Sequence, residues 1–120
     1  MMPSVAARPP GYGRWVNRDR LQARYRELVQ HTLPRLGRDG RWAVVNDHCF
    51  GRILLDHAVG RCWYDVLDRR RSPAFAQLTD DQLAAAVALG ERIAEEGDLL
   101  LRQLNAQSLR WRGKRVRPSR

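Results

Sequence analysis

The stretch Asp47-His48-Cys49-Phe50-Gly51-Arg52-Ile53-Leu54-Leu55-Asp56-His57-Ala58-Val59, followed by Gly60, decides how the rest of this chain is read. Phe50, Ile53, Leu54 and Ala58 fall on one side of a helix, and Leu55 and Val59 on another, at the steps of an α-helical period. Gly60 supplies a C-terminal stop. A helix that is apolar around most of its circumference belongs in the middle of a bundle, so this segment is expected to be the centre on which other helices pack. Its polar residues are not scattered. His48, Arg52 and Asp56 recur every four positions and form one seam. His57 sits at the centre of the Phe50/Ile53/Leu54 face and is expected to be a core histidine satisfied by a neighbour.

Upstream, Asn17 is expected to cap a helix, with Val16 and Leu21 as the apolar pair that staples its start. Leu21, Tyr25, Leu28, Val29, Thr32 and Leu36 then line one side, and Pro34 disturbs the last turn. On the adjacent flank Arg20, Arg24, His31 and Arg35 form a basic stripe. Gly37-Arg38-Asp39-Gly40 reads as a turn, and Arg41 to Val45 as a short extended or irregular piece.

Downstream, Trp63 to Leu67 reads as a helical turn, followed by the basic run Arg69-Arg70-Arg71. Ser72-Pro73 opens a short piece reaching Leu78. Thr79-Asp80-Asp81-Gln82 is a capping box, stapled by Leu78 and Leu83, and its helix carries Leu83, Ala86, Val87, Gly90, Ile93 and Ala94 on one face up to Gly97. Asp98 starts a last helix with Leu100, Leu101, Leu104, Ser108 and Trp111 as its stripe. The expected fold is all-α: a compact irregular bundle of about four principal helices plus short helical turns. Residues 1–14 are expected to be a flexible arm, 15–112 a single helical domain, and 113–120 a basic tail.

The 120 residues make about one domain, and 43% apolar content argues against full disorder. No stretch approaches the roughly 20 apolar residues of a membrane span, and Met1 to Gly13 lacks the apolar core of a secretory signal. A cytoplasmic location is the expectation. Cys49 and Cys62 are expected to be reduced, since a helical rise of about 16 Å from Cys49 to Gly60 keeps the sulfurs apart.

Net charge is +9 and unevenly placed. Residues 1–46 hold nine Arg against three acids, residues 72–109 two Arg against six acids, and residues 110–120 five Arg and one Lys with no acid. Such asymmetry suits a polyanionic partner, or pairing of the basic ends with the chain's own acidic segment. Lys114 is the one lysine among 22 basic residues, a bias that a GC-rich genome produces unaided. The placement of charge therefore weighs more than the arginine count.

Three constellations bear on chemistry. In the seam, Arg52 lies one helical turn from both His48 and Asp56, so a cleft there would offer a proton acceptor and an anion clamp. The plainer reading is an internal polar network that orients the central helix. His48 and Cys49 point about 100° apart on a helix, which disfavours a nucleophile pair. No spacing among His48, Cys49, His57 and Cys62 fits a metal site, and no cofactor is expected. The cationic features are Arg20, Arg24 and Arg35 on the first helix, the loop Arg69, Arg70 and Arg71, and the end Arg110, Arg112, Lys114, Arg115 and Arg117. Arginine forks suit phosphates and give salt-dependent affinity for nucleic acid. Trp111, between two arginines, suits base stacking, although its place on the apolar stripe favours core packing.

Asp47 to Asp56 with Gly60 and Trp63, then Leu78-Thr79-Asp80-Asp81-Gln82-Leu83, then Leu104-Asn105-Ala106-Gln107-Ser108-Leu109-Arg110-Trp111-Arg112-Gly113, resembles a set of small, poorly characterised microbial proteins over about residues 41–114. Some of these carry a label linking them to the GNAT acetyltransferase superfamily. The Arg/Gln-x-x-Gly-x-Gly/Ala loop that cradles coenzyme A in that superfamily is absent here, as is its series of strands. The resemblance implies a compact block with dispensable basic ends, and it assigns acetyl transfer to no residue.

The leading expectation is a non-enzymatic helical module that binds a polyanion, nucleic acid or a nucleoprotein surface, with low sequence specificity. A protein-interaction or self-associating module, in which the basic ends meet an acidic partner or the 80–98 segment of a second copy, comes next. A small enzyme or ligand-binding domain using His48, Arg52 and Asp56 comes third.

Overall fold

The structure, a computed structural model, describes residues 12–113, with side chains described from Arg18 onward. Five α-helices follow in order: α1 (Tyr12–Glu27), α2 (Leu33–Gly40), α3 (Asp47–Val59), α4 (Asp80–Glu96) and α5 (Asp98–Trp111). A π-helical turn, Leu28–Thr32, joins α1 to α2 without a break, so the two form one bent rod. Short 3-10 turns occupy Trp63–Asp65 and Ala74–Gln77. The result is an all-α bundle of four principal rods, with no strand among the described residues.

α3 is the middle of it. Phe50, Ile53 and Leu54 are fully buried, and the helix packs on the π turn, α2, α4 and α5. Leu28 and Leu33 from the bent rod, Leu83 and Ile93 from α4, and Leu101 from α5 close around it. Both ends follow the expected boundaries. Gly60 takes the left-handed conformation (φ 79°) that ends the helix and returns its N–H to the Asp56 carbonyl, a backbone state that disfavours any side chain. The capping box before α4 forms as read: Thr79 Oγ1 accepts from Gln82 N, and Gln82 Oε1 accepts from Thr79 N.

The first rod departs from expectation in two ways. α1 begins at Tyr12, upstream of Asn17, so Asn17 lies inside the helix rather than capping it, and part of the expected arm is helical. The remaining arm, residues 1–11, lies outside the described residues. Further along, the helix does not turn at Gly37 but continues to Gly40. Leu33, Pro34 and Gly37 are buried there, one position beyond the Thr32 and Leu36 of the periodic reading. The π turn explains the shift. Pro34 has no N–H to give the carbonyl four residues back, and its ring crowds that carbonyl. Widening the preceding turn relieves the crowding and adds one residue, which rotates everything downstream by about 100°. Gly37 is then pressed against the connecting segment, where a Cβ would stand 3.0 Å from the Val44 carbonyl oxygen.

Both cysteines are free thiols, Cys49 half-buried and Cys62 buried. No helix of the described residues is long and apolar enough to cross a membrane. No buried side-chain nitrogen or oxygen in the described residues lacks a hydrogen-bond partner.

The centrality of α3 gives a direct expectation for stability. Leu54→Ala should lower the free energy of unfolding by about 2–5 kcal/mol, since a fully buried leucine leaves a cavity. Leu99→Ala, at a side chain 72% exposed, should change it by less than about 0.5 kcal/mol. Urea denaturation of the two variants beside the parent chain checks both.

Candidate polyanion-binding face

The seam on α3 separates once its neighbours are in place. His48 sits at the exposed start of the helix, its side chain 79% accessible, and its ring lies 3.7 Å from Asp47. Arg52 turns toward α5, donating to Ser108 Oγ at 2.7 Å and to Asn105 Oδ1 at 2.7 Å. Asp56 is fully buried. Ser108 joins the last two: its hydroxyl accepts from Arg52 and donates to Asp56 Oδ2 at 2.6 Å. The structure therefore does not bring His48, Arg52 and Asp56 together as one polar triad.

Asp56 is instead the meeting point of three segments. Arg112, just past α5, donates from Nε to Oδ2 at 2.9 Å and from Nη2 to Oδ1 at 3.0 Å. The backbone N–H of Trp63 donates to Oδ1 at 2.8 Å, fixing the 3-10 turn that follows α3. With Ser108 this makes four bonds, the full acceptor capacity of a carboxylate. Burial works against the Arg112 charge, but the hydrogen bonds to Asp56 and Tyr64 outweigh it and hold the guanidinium more firmly protonated than usual. A saturated, buried carboxylate has no lone pair left for a substrate. His57 has the expected partner but is half-buried rather than in the core: its Nε2 is 2.9 Å from the Leu104 carbonyl and its ring meets Trp111 edge-on at 4.8 Å.

The turn that Asp56 fixes presents Tyr64, which is 42% exposed. Two guanidiniums lie over its ring, Arg69 at 3.8 Å from the centroid and Arg112 at 4.6 Å, and Trp63 meets it edge-on. The basic loop and the end of α5, far apart in sequence, thus converge on one aromatic ring. The loop backbone is itself pinned. Gln77 Nε2 donates to the carbonyls of Asp68 (2.8 Å) and Arg71 (3.0 Å), while its Oε1 accepts from Asp68 N (2.8 Å). Asp68 Oδ1 in turn accepts from Arg70 N at 2.9 Å.

Three depressions run along this face. One of about 340 Å³ is lined by Cys62, Tyr64, Asp65, Trp111 and Arg112. The next, about 580 Å³, shares Tyr64 and adds Leu67, Asp68, Arg69 and Arg70. The third, about 320 Å³, shares Leu67 and includes Arg71 and Pro73.

The other expected phosphate contacts are distributed differently. Arg20, Arg35, Arg71 and Arg110 are exposed, and Arg110 is bonded to Gln107 on its own helix. Arg24 is engaged bidentately by Glu91 of α4, both bonds 2.7 Å. Arg112 is likewise held by Asp56. Lys114, Arg115 and Arg117 lie outside the described residues. Tyr64, Gln77, Asn105 and Ser108 were not singled out for the site from the sequence. Tyr64 carried the one usable signal, an aromatic five positions before an arginine triplet. His, Cys, Asp and Glu nowhere cluster in a metal-binding group among the described residues. The chain matches no protein-family model, no curated protein and no solved structure.

Two tests follow from these ion pairs. Arg112→Ala would strand the buried Asp56 charge and should cost about 3 kcal/mol or more of stability, whereas Arg71→Ala should cost under about 0.5 kcal/mol; thermal unfolding separates them. Glu91 is held below the usual carboxylate range by its hydrogen bonds from Arg24, against a weaker opposing effect of burial. A depressed carboxylate contributes stability above its unfolded pKa, and loses it as pH falls through the folded value. An NMR titration should place the Glu91 midpoint below about 4.3, and Arg24→Gln should raise it.

Proposed function

We propose that this chain is a non-enzymatic helical module that binds a polyanion, nucleic acid or a nucleoprotein surface, with low sequence specificity. The observation that carries the reading is that Arg69 of the basic loop and Arg112 at the end of α5, far apart in sequence, both lie over the exposed Tyr64 ring. Residues 61–71 and 110–112 hold six arginines, against Asp65, Asp68 and the buried Asp56, before Lys114, Arg115 and Arg117 are added. Arg69, Arg70, Arg71 and Arg110 then supply phosphate contacts, with Arg20 and Arg35 as exposed cations elsewhere. Arg24 and Arg112 serve the fold, each held by two bonds to one carboxylate, whereas Arg70 makes a single 3.4 Å contact with Asp68 from an exposed side chain. Phosphate contacts position a protein on nucleic acid without reading its bases, which accounts for the low specificity. Two free thiols agree with a cytoplasmic setting.

The alternatives draw less support. Of the six acids in residues 80–98, Asp80, Glu91, Glu96 and Asp98 are paired with Arg18, Arg24, Arg92 and Arg102 of the same chain. Little of that segment is left for the basic ends of a second copy. The enzyme reading joins His48 to Asp56, and Asp56 is buried with its lone pairs filled, while the carboxylate that His48 does meet is its exposed neighbour Asp47.

Fluorescence anisotropy with labelled oligonucleotides at several salt concentrations tests the proposal. Binding should weaken steeply with salt, log K falling linearly with log salt concentration. Replacing Arg70 and Arg71 together with alanine should weaken binding about ten-fold and reduce the slope by about one per lost phosphate contact. Absence of binding at low salt, or binding indifferent to salt, would refute the reading.

A further inference from the structure

Resting on the polyanion reading, we infer that Ser72 is a phosphorylation site, and that a phosphate there closes the Arg69–Arg71 loop to polyanions. Four serines and threonines have described side chains, and the fold occupies three of them. Ser108 is buried between Arg52 and Asp56, Thr79 caps α4 through its Oγ1, and Thr32 is half-buried in the π turn. Ser72 is exposed, and its hydroxyl has no hydrogen-bond partner among the described residues. It belongs to Arg69–Pro73, five consecutive exposed residues and the longest such run among the described residues. The run lies outside every helix, and its shape is set by the bonds of Gln77 to Asp68 and Arg71 and of Asp68 to Arg70 and Arg71. Such a segment opens locally at small cost. An enzyme cleft can therefore take it as an extended strand while the helices stay folded.

The three residues before the hydroxyl are arginines. Protein kinases select substrates in part by charge pattern, and carboxylates in a substrate cleft bond guanidinium forks bidentately. The matching modifier is an arginine-directed serine/threonine protein kinase, with a nucleoside triphosphate as co-substrate. Ser72 Oγ attacks the γ-phosphorus, the bond from that phosphorus to the bridging oxygen breaks, and nucleoside diphosphate leaves. The hydroxyl proton passes to the catalytic aspartate of the kinase. The product carries about −2 charges at neutral pH, with three strong acceptor oxygens. Arg71 adjoins it and Arg70 comes next, within about 10 Å along the chain, the range over which charges act in about 0.1 M salt. Arg71 has no ion pair among the described residues, and Arg70 has only its 3.4 Å contact with Asp68. Both forks then bond a phosphate attached to their own chain, at the expense of phosphates arriving from solution. Arg20, Arg26, Arg35 and Arg38 on the first rod are exposed as well and keep their charge. Modification therefore weakens polyanion binding without abolishing it.

The test incubates the full chain, Ser72→Ala and the Arg70/Arg71 double-alanine variant with magnesium ATP and a panel of arginine-directed serine/threonine kinases. Mass spectrometry maps the product. The parent chain should take up a single phosphate, on Ser72, while Ser72→Ala takes up none and the double-alanine variant is modified several-fold more slowly. A second arm needs no kinase. Phosphoserine installed at position 72 during translation should weaken binding of a labelled oligonucleotide about ten-fold and lower the salt slope by about one to two. Ser72→Ala should bind as the parent does, and circular dichroism should show the same helix content in all four proteins. Uptake at another residue, uptake by no kinase, or equal uptake by the double-alanine variant overturns the site. Parent-like affinity of the phosphoserine chain overturns its effect on the loop. Each of these results leaves polyanion binding standing. Failure of the unmodified chain to bind any nucleic acid at low salt removes the underlying reading instead, and phosphate uptake at Ser72 is read independently of it.

Discussion

A carboxylate with no exposure to solvent organises this molecule. Asp56 accepts from Ser108, from both ends of the Arg112 fork and from the Trp63 backbone. Burying an unpaired charge costs several kcal/mol, so each donor is needed, and the donors belong to separate segments. The last helix cannot slide along α3 without breaking the Arg112 and Ser108 bonds. The turn after α3 cannot swing without losing the Trp63 bond. A single side chain thereby sets the angle at which Tyr64 leaves the bundle and the place where α5 ends. Hydrophobic packing around Phe50, Ile53 and Leu54 supplies the bulk of the burial, but it is non-directional. Asp56 adds the register.

The interior polar network and the exterior charge pattern are related. Arg18, Arg24, Arg92, Arg102 and Arg112 are taken up by the acids of residues 80–98 or by Asp56. Apart from the buried Arg112–Asp56 pair, these contribute little stability individually. Their effect on the surface is larger, because the exposed arginines outside these pairs then fall into two groups, Arg20, Arg26, Arg35 and Arg38 on the first rod, and Arg69, Arg71 and Arg110 in the loop and on α5. A net charge of +9 read as a single number hides this sorting.

What the sequence made legible was whatever depends on local periodicity. The boundaries of α3, the capping box at Thr79 and Gln82 and the start of α5 at Asp98 all follow from residues within a turn or two of one another. The misreadings share a different cause. Pro34 signalled disturbance, but whether a proline breaks, kinks or widens a helix depends on what packs behind it, and here the rod continues through a π turn against α3 and α4. Arg24 and Arg112 looked like free cations because Glu91 and Asp56 lie far from them in sequence. Gln77 could not have been recognised, since its three bonds to the 68–71 backbone exist only after the chain has doubled back. His48 and Asp56 share a stripe on paper, yet one lies at the open end of the helix and the other deep in it.

The Arg112 anchor has a consequence for whatever follows it in the chain. Gly113 is the next residue, and its N–H returns to the Arg110 carbonyl at 2.9 Å, so the chain leaves α5 at a point that the Asp56 pair holds in place.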